Sequence, residues 1–99
     1  MKNSIIYLPG ALQEFEASFE FYEEKTVGLG VRFEDRLKEK LEIISQYPER
    51  YRTRQGKFRE ALIKEFPFLV IYKYDKTKKI ILMVSIFHTS RNPKNKYKK

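Results

Sequence analysis

Hydrophobic positions along the chain follow two different periods. Nearly continuous apolar runs at residues 3–8, 68–74 and 80–87 have the length and the β-branched composition of strands. After the first run, apolar side chains instead recur every three or four residues, which is the spacing of one helix face. The pattern predicts the order strand, helix, helix, strand, strand, strand.

Two helices are predicted in the first half of the chain. The first runs from Ala11 to near Gly28, and the second from Val31 to about Tyr47, where Pro48 ends it. Their apolar faces are formed by Leu12, Phe15, Phe19 and Tyr22 in the first helix and by Phe33, Leu37, Leu41 and Ile44 in the second. Because the joint between them is a short glycine-containing hinge, the helices should form an antiparallel hairpin.

The second half predicts an antiparallel meander of three strands. These are residues 58–66, 68–74 and 80–87, with short turn sequences between them. The middle run is apolar at both parities, which is typical of a central strand covered on both faces. Residues 49–57 are predicted as a polar, basic connector. The fold class is therefore α+β, a two-layer antiparallel β-sheet backed by a helical hairpin, in one domain over residues 1–99.

Charge is divided unevenly between the two halves of this basic protein. Residues 1–48 carry 6 Lys and Arg against 9 Asp and Glu, whereas residues 49–99 carry 15 against 4. A strongly basic half attracts a polyanion such as nucleic acid, an acidic protein partner or a membrane surface. No apolar run approaches the roughly 18 residues of a membrane span. The N-terminal run is also too short for a secretory signal, so we expect a cytoplasmic protein without a membrane partner.

Four residues are candidates for catalysis: His88, Arg91, Tyr97 and Arg59. His88, the only histidine, closes the last strand and has an ordinary pKa of about 6.5 that suits acid–base work, although a lone histidine here is more often structural. Arg91 and Arg59 could clamp a phosphate through paired N–H donors, or Arg91 could pair with an acidic partner protein. Tyr97, in the basic tail, could stack on a base or take part in proton transfer.

Further cations are assigned to nucleic-acid or target binding: Arg50, Arg52, Arg54, Lys64 and Lys94. The three arginines alternate along the connector, so an extended backbone would point them the same way as a cationic ridge. A single histidine and the absence of cysteine argue against a transition-metal site. No metal or other cofactor is therefore expected.

Four phrases carry a resemblance to a known family: FYEEKTVGLGVRF, ISQYPERY, FREALIKEFPFLVIYKY and SIFHTSRNP. In this order and spacing, over nearly the whole chain, they resemble the RelE/ParE superfamily of type II toxin–antitoxin toxins, often labelled plasmid-stabilisation proteins. The resemblance implies a small antiparallel sheet backed by a helical hairpin. It also implies a toxin neutralised by an antitoxin encoded beside it, as a homodimer or as a toxin–antitoxin hetero-oligomer.

The resemblance implies one of two activities. RelE-like members cleave mRNA on the ribosome, with basic residues and sometimes His or Tyr acting on the ribose 2′-OH and the phosphate. ParE-like members inhibit DNA gyrase. Arg91 and Tyr97 match the spacing of an Arg and a C-terminal Tyr in the ribonuclease branch, and His88 matches a His found at the end of the last strand in several members.

Other positions depart from the ribonuclease branch. Where that branch often has an Arg at the start of the third strand, this chain has Phe68 or Leu69. The phrase HTSRNP looks closer to ParE-like members. The favoured target is therefore gyrase, and the alternatives are a ribosome-dependent mRNA endoribonuclease, which would make the protein an enzyme, or a non-toxic nucleic-acid-binding module.

Overall fold

A computed structural model describes residues 3–97 as a five-stranded sheet with two helices on one face. The elements are β1 (Ser4–Tyr7), α1 (Pro9–Lys25), α2 (Leu29–Gln46), β2 (Thr53–Gln55), β3 (Phe58–Leu62), β4 (Phe68–Asp75), β5 (Ile80–His88) and a 3-10 turn (Pro93–Asn95). The strand order is β1-β5-β4-β3-β2, in which β1 runs parallel to β5 and the other pairs are antiparallel. The predicted α+β fold is confirmed, with β4 as the predicted central strand.

The core lies between the helical hairpin and the sheet. Phe33 of α2 is fully buried, and its ring centroid lies 5.1 to 6.0 Å from those of Phe15, Tyr22, Phe66 and Phe68. The next members of the predicted α2 face are also buried: Leu37, Leu41 and Ile44. The helical spacing of apolar residues therefore identified this side of the core correctly.

The segment predicted as a connector contains a strand. Thr53–Gln55 forms β2 and pairs with β3, and all three of its residues are exposed. An edge strand with no buried position lacks the alternation of apolar and polar residues by which a strand is recognised in a sequence. The predicted strand order is therefore corrected by one additional strand at the edge of the sheet.

The strand predicted over 58–66 ends at Leu62, and a loop follows. In this loop Glu65 has φ 72°, the left-handed region that non-glycine residues adopt rarely. Its carboxylate accepts bonds from Arg32 Nη2 at 2.7 Å and Arg36 Nε at 3.3 Å. The hydrogen bond from Arg32 is the main cause that lowers the pKa of Glu65. The two arginines thus hold the β3–β4 loop against α2.

Both helices begin two residues earlier than predicted, at Pro9 and Leu29. Proline suits the first turn of a helix because the N–H it lacks would have no partner there. Gly30 lies inside α2 rather than in a hinge, and an added Cβ would stand 2.7 Å from the carbonyl oxygen of Phe19. The glycine therefore allows the two helices to approach closely.

Glu23 of α1 caps the start of α2. Its carboxylate accepts the N–H groups of Gly28 at 3.0 Å, Gly30 at 2.8 Å and Val31 at 3.3 Å. The first N–H groups of a helix have no partners within it, so this carboxylate supplies acceptors that the helix lacks. These bonds, the one from Gly28 foremost, lower the pKa of Glu23.

We expect the free energy of unfolding of Glu23→Gln to fall less steeply than that of the wild type as the pH is lowered. Because the folded pKa lies below the ordinary 4.5, the carboxylate contributes fully above that value, and the contribution is lost as the pH falls through the folded pKa. The measurement is the free energy of urea unfolding of both proteins from about pH 7 to about pH 3. Glu20→Gln removes the same charge from an exposed position of α1 and serves as the control. Parallel profiles for wild type and Glu23→Gln would contradict the expectation.

Candidate functional site

The end of β5 places His88 and Arg91 side by side. The Arg91 N–H donates to the His88 carbonyl at 3.1 Å, which closes a turn directly after the strand. The half-buried His88 ring packs edge-on against Phe68 at 4.9 Å. Its Nδ1 accepts the Ser90 N–H at 3.0 Å, so a neutral ring carries its proton on Nε2. His88 is thus held by packing and by the turn.

Glu14 of α1 binds the guanidinium of Arg91. Its Oε2 accepts Arg91 Nη1 at 2.8 Å, while its Oε1 accepts the Ser85 hydroxyl at 2.8 Å and the Ile86 N–H at 3.2 Å. The strand β1 pairs with β5 only as far as Met83, so Glu14 supplies an acceptor to the strand edge beyond β1. The Arg91 side chain is 42% exposed, but a carboxylate of this chain already occupies one of its donors.

Arg59 lies far from this turn. Arg59 stands opposite Tyr72 on β4, whereas His88 stands opposite Phe68. Phe68 and Tyr72 are about 13 Å apart along this strand. Arg59 Nη1 donates to the Tyr51 carbonyl at 2.6 Å. Arg59 therefore fastens the segment after α2 to the sheet.

Tyr97 lies on the sheet face that the helices leave uncovered, which we call the open face. A second, smaller apolar cluster lies here, formed by Ile71, Val84 and Phe87 with Leu8, Phe58, Leu69 and Tyr97 packed against it. The Tyr97 ring lies 4.8 Å from that of Phe58, and its hydroxyl donates to the Glu60 carboxylate. Burial first, and then the bond to Glu60, raise the pKa of Tyr97 to about 12. At neutral pH the hydroxyl is therefore protonated and poorly suited to act as a general base.

Glu60 places a negative charge on the open face. Its side chain is 9% exposed and also binds Lys96 Nζ at 3.4 Å. Lys73 lies over the Phe58 ring at 4.5 Å, and the charge of Arg54 partly opposes the rise in the pKa of Tyr97. Lys96 and Tyr97 are therefore gathered on a carboxylate rather than around an empty space.

The four residues assigned to catalysis are not all brought together. His88 and Arg91 adjoin at the end of β5, and Arg59 lies elsewhere. Tyr97 packs on the open-face cluster, whose Phe87 ring lies 4.9 Å below the Arg91 guanidinium. Glu14 and Glu60, the carboxylates that hold Arg91 and Tyr97, were not predicted from the sequence. These pairs are 77 and 37 residues apart, so no local pattern in the sequence marks them.

The cations assigned to target binding are distributed over both ends of the sheet. Arg52 and Arg54 are exposed around the start of β2, where the extended backbone begins at Thr53. Arg50 lies before this strand, in a turn that its N–H closes by donating to the Tyr47 carbonyl at 3.0 Å. Because the backbone is not extended there, Arg50 is not part of the predicted ridge. The other two are also exposed: Lys64 in the β3–β4 loop and Lys94 in the 3-10 turn. Lys98 and Lys99, the end of the predicted basic tail, lie outside the described residues.

An apolar groove runs between α1 and α2 beside β1. It encloses about 130 Å³, and its lining includes Tyr7, Leu12, Phe15, Leu37 and Leu41. Tyr7 and Leu12 remain 44% and 46% exposed. Large apolar side chains that stay exposed around a groove are typical of a surface that binds another protein.

Residues 3–97 contain neither a metal-binding cluster nor a membrane-spanning helix. In that range, no group of three or more His, Cys, Asp or Glu side chains is arranged to hold a metal ion. Neither helix there has the length and apolar character needed to cross a membrane.

Comparison with known proteins identifies the family. Residues 5–93 match the model of a family described as the ParE toxin of the type II toxin–antitoxin system parDE. A solved structure described as the chromosomal ParDE TA system from P. aeruginosa has a TM-score of 0.73 at 14% identity, over 88% of this chain and 96% of that one. That likeness shows the shared fold. No curated protein matches the sequence. Since the family match spans both helices and nearly all of the sheet, the chain belongs to the ParE toxin family of type II toxin–antitoxin systems.

Proposed function

We propose that this protein is a toxin that binds and inhibits DNA gyrase until an antitoxin covers it. Membership of the ParE family supports a toxin of this kind. The observation that favours target binding over RNA cleavage is that polar groups on the open face are already bound to one another. There Tyr97 donates to Glu60, and Lys96 pairs with the same carboxylate.

RNA cleavage requires a base and phosphate-binding cations that converge on one phosphate. On the open face, a phosphate would meet the Glu60 carboxylate, whose like charge opposes it. At the end of β5, Arg91 is paired with Glu14. These contacts favour a toxin that uses its surface for recognition of a protein target.

The apolar groove between the helices supports an antitoxin that docks as an amphipathic segment. A helix laid in a groove buries apolar side chains at every third or fourth position. Leu12, Phe15 and Leu37 offer such contacts, while Glu34 and Lys38 flank them with opposite charges. The similar solved structure is itself described as a ParDE toxin–antitoxin system.

Inducible expression, with plasmid topology and total RNA read from the same culture, tests the proposed target. We expect relaxed plasmid, intact mRNA and arrested growth, because inhibited gyrase no longer introduces negative supercoils. Purified toxin should also block supercoiling by purified gyrase, and co-expression of the neighbouring antitoxin should restore growth.

His88→Ala and Arg91→Ala separate the two activities. Both variants should relax plasmid as the wild type does, provided that circular dichroism shows them folded. If the wild type cleaves mRNA, either variant leaves mRNA intact, and plasmid topology never changes, the protein is a ribonuclease and not a gyrase inhibitor. Normal growth with neither change would contradict a toxin function altogether.

A further inference from the structure

Two hairpin turns lie at the same end of the sheet, which we call the turn end. The β2–β3 turn contains Lys57, and the β4–β5 turn covers residues 76–79. Because β3 is antiparallel to β4, with Arg59 opposite Tyr72, the start of β3 lies beside the end of β4. A cleft of about 510 Å³ separates the two turns, and its lining includes Lys57, Lys73 and Lys76.

Positive charge at the turn end is only weakly compensated. The basic residues of this region are Arg52, Arg54, Lys57, Arg59, Lys73, Lys76, Lys78 and Lys79, and the acidic ones are Glu49 and Asp75. Asp75 uses its Oδ1 to accept the Lys78 N–H at 3.1 Å, within the turn. Glu49 lies 3.9 Å from Lys76, but the two side chains are 53% and 79% exposed, so solvent screens the pair.

The chemistry of the cleft suits phosphate groups. Lysine ammonium groups bind phosphate oxygens, and the cleft lining adds the hydroxyl groups of Thr53 and Thr77 as further donors. One carboxylate, that of Asp75, also lines the cleft, but it stands against four basic side chains there: Lys57, Arg59, Lys73 and Lys76. Tyr74 supplies the aromatic ring of this lining, and its hydroxyl is held by Asn3 Oδ1 at 3.0 Å. Single strands bind largely by stacking their bases on exposed rings. Because the cleft offers donors for phosphates but no free ring on which a base could stack, it favours the backbone of a duplex over a single strand.

We propose that the turn end binds the phosphate backbone of a duplex nucleic acid without reading its sequence. Lys57, Lys73 and Lys76 contact phosphates from the two sides of the cleft. This activity does not require that gyrase be the target. It adds a nucleic-acid contact at the end of the sheet opposite to His88 and Arg91.

The test is fluorescence anisotropy of the full-length protein with labelled 20-base-pair duplexes of DNA and of RNA. Neutralised phosphates lower log K by about 0.9 per unit of log salt each, so three contacts give a slope of about 2.7. Lys57→Glu/Lys76→Glu should reduce that slope by about 1.8 and weaken binding at least tenfold at low salt. Lys25→Glu/Lys38→Glu makes the same change of charge on the helices and should retain the wild-type slope.

Each outcome decides the proposal, with circular dichroism as a check that both variants are folded. Retained binding by the helix variant together with loss in the turn variant supports it, whether DNA, RNA or both duplexes bind. Equal losses in the two variants would reduce the effect to net charge and overturn the proposal. Tighter binding of a single strand, or equal binding of a polyglutamate of the same charge, would also overturn it. None of these results depends on the supercoiling assay.

Discussion

Replacement of Phe33 by alanine should lower the free energy of unfolding by about 3–5 kcal/mol, the usual cost of emptying a buried phenylalanine site. Phe33 is 0% exposed and joins rings from α1 to Phe66 in the β3–β4 loop and Phe68 at the start of β4. These rings belong to different elements, which cannot close on the cavity without moving a helix or the sheet. A domain of this size has a total stability of about 5–15 kcal/mol, so the variant should be largely unfolded in mild urea.

Phe21→Ala is the matched control. Phe21 lies on α1 with 56% of its surface exposed, where it contacts Tyr22 and Lys25. We expect a loss below about 1 kcal/mol, since surface substitutions usually have small effects. Urea unfolding followed by far-UV circular dichroism measures both variants. Similar midpoints for Phe33→Ala and Phe21→Ala would mean that the cluster around α2 is not the centre of the core.

Glu14→Ala should destabilise the end of β5 by about 1–3 kcal/mol, because it leaves polar groups without an acceptor. The groups concerned are the Ser85 hydroxyl, the Ile86 N–H and the Arg91 guanidinium, and Ser85 is 0% exposed. The half-exposed arginine can turn to water, whereas the buried groups cannot. Most of the loss should therefore come from the strand rather than from the ion pair.

Three companion variants separate these contributions in the same unfolding assay. Glu14→Gln keeps an amide oxygen for Ser85 and Ile86 and removes the charge, so it should lose less than Glu14→Ala. Arg91→Ala should cost less than Glu14→Ala, because Ser85 and Ile86 keep their acceptor when only the arginine is removed. Glu16→Ala, on the exposed side of α1, controls for helix effects. If Glu14→Ala were no more harmful than Glu16→Ala, Glu14 would not be holding the strand.

The elements whose apolar residues are buried on one face could be predicted from the sequence. The spacing of Phe33, Leu37, Leu41 and Ile44 identified a helix face because that face is buried. The same reasoning failed where buried residues lie in a loop and where a strand has no buried residue. Ile63 and Phe66 are 1% and 8% exposed yet lie in a loop, so the strand predicted over 58–66 was too long. In contrast, β2 is paired but all its residues are exposed, and it was missed.

The candidate site was only partly predictable. The adjacency of His88 and Arg91 follows from their three-residue separation and the end of a strand, which a sequence displays. The partners of the site residues do not appear there, since Glu14 reaches Arg91 and Glu60 reaches Tyr97 only after the sheet has formed. Whether an arginine is available to a ligand depends on such long-range pairs, because a carboxylate nearby competes for the same donors.

The parallel pairing of β1 with β5 has a consequence for the order of folding during synthesis. Ser4 pairs with Ile80, so β1 must wait until β5, which lies about 75 residues later in the chain, has been synthesised before it gains a neighbour in the sheet. Until then the helical hairpin can meet only β3 and β4, and the part of the core that β5 supplies, including Ile81, Met83 and Ile86, is missing. The sheet is therefore completed only after β5 has been synthesised, and a chain cut before β5 lacks the strand that joins β1 to β4.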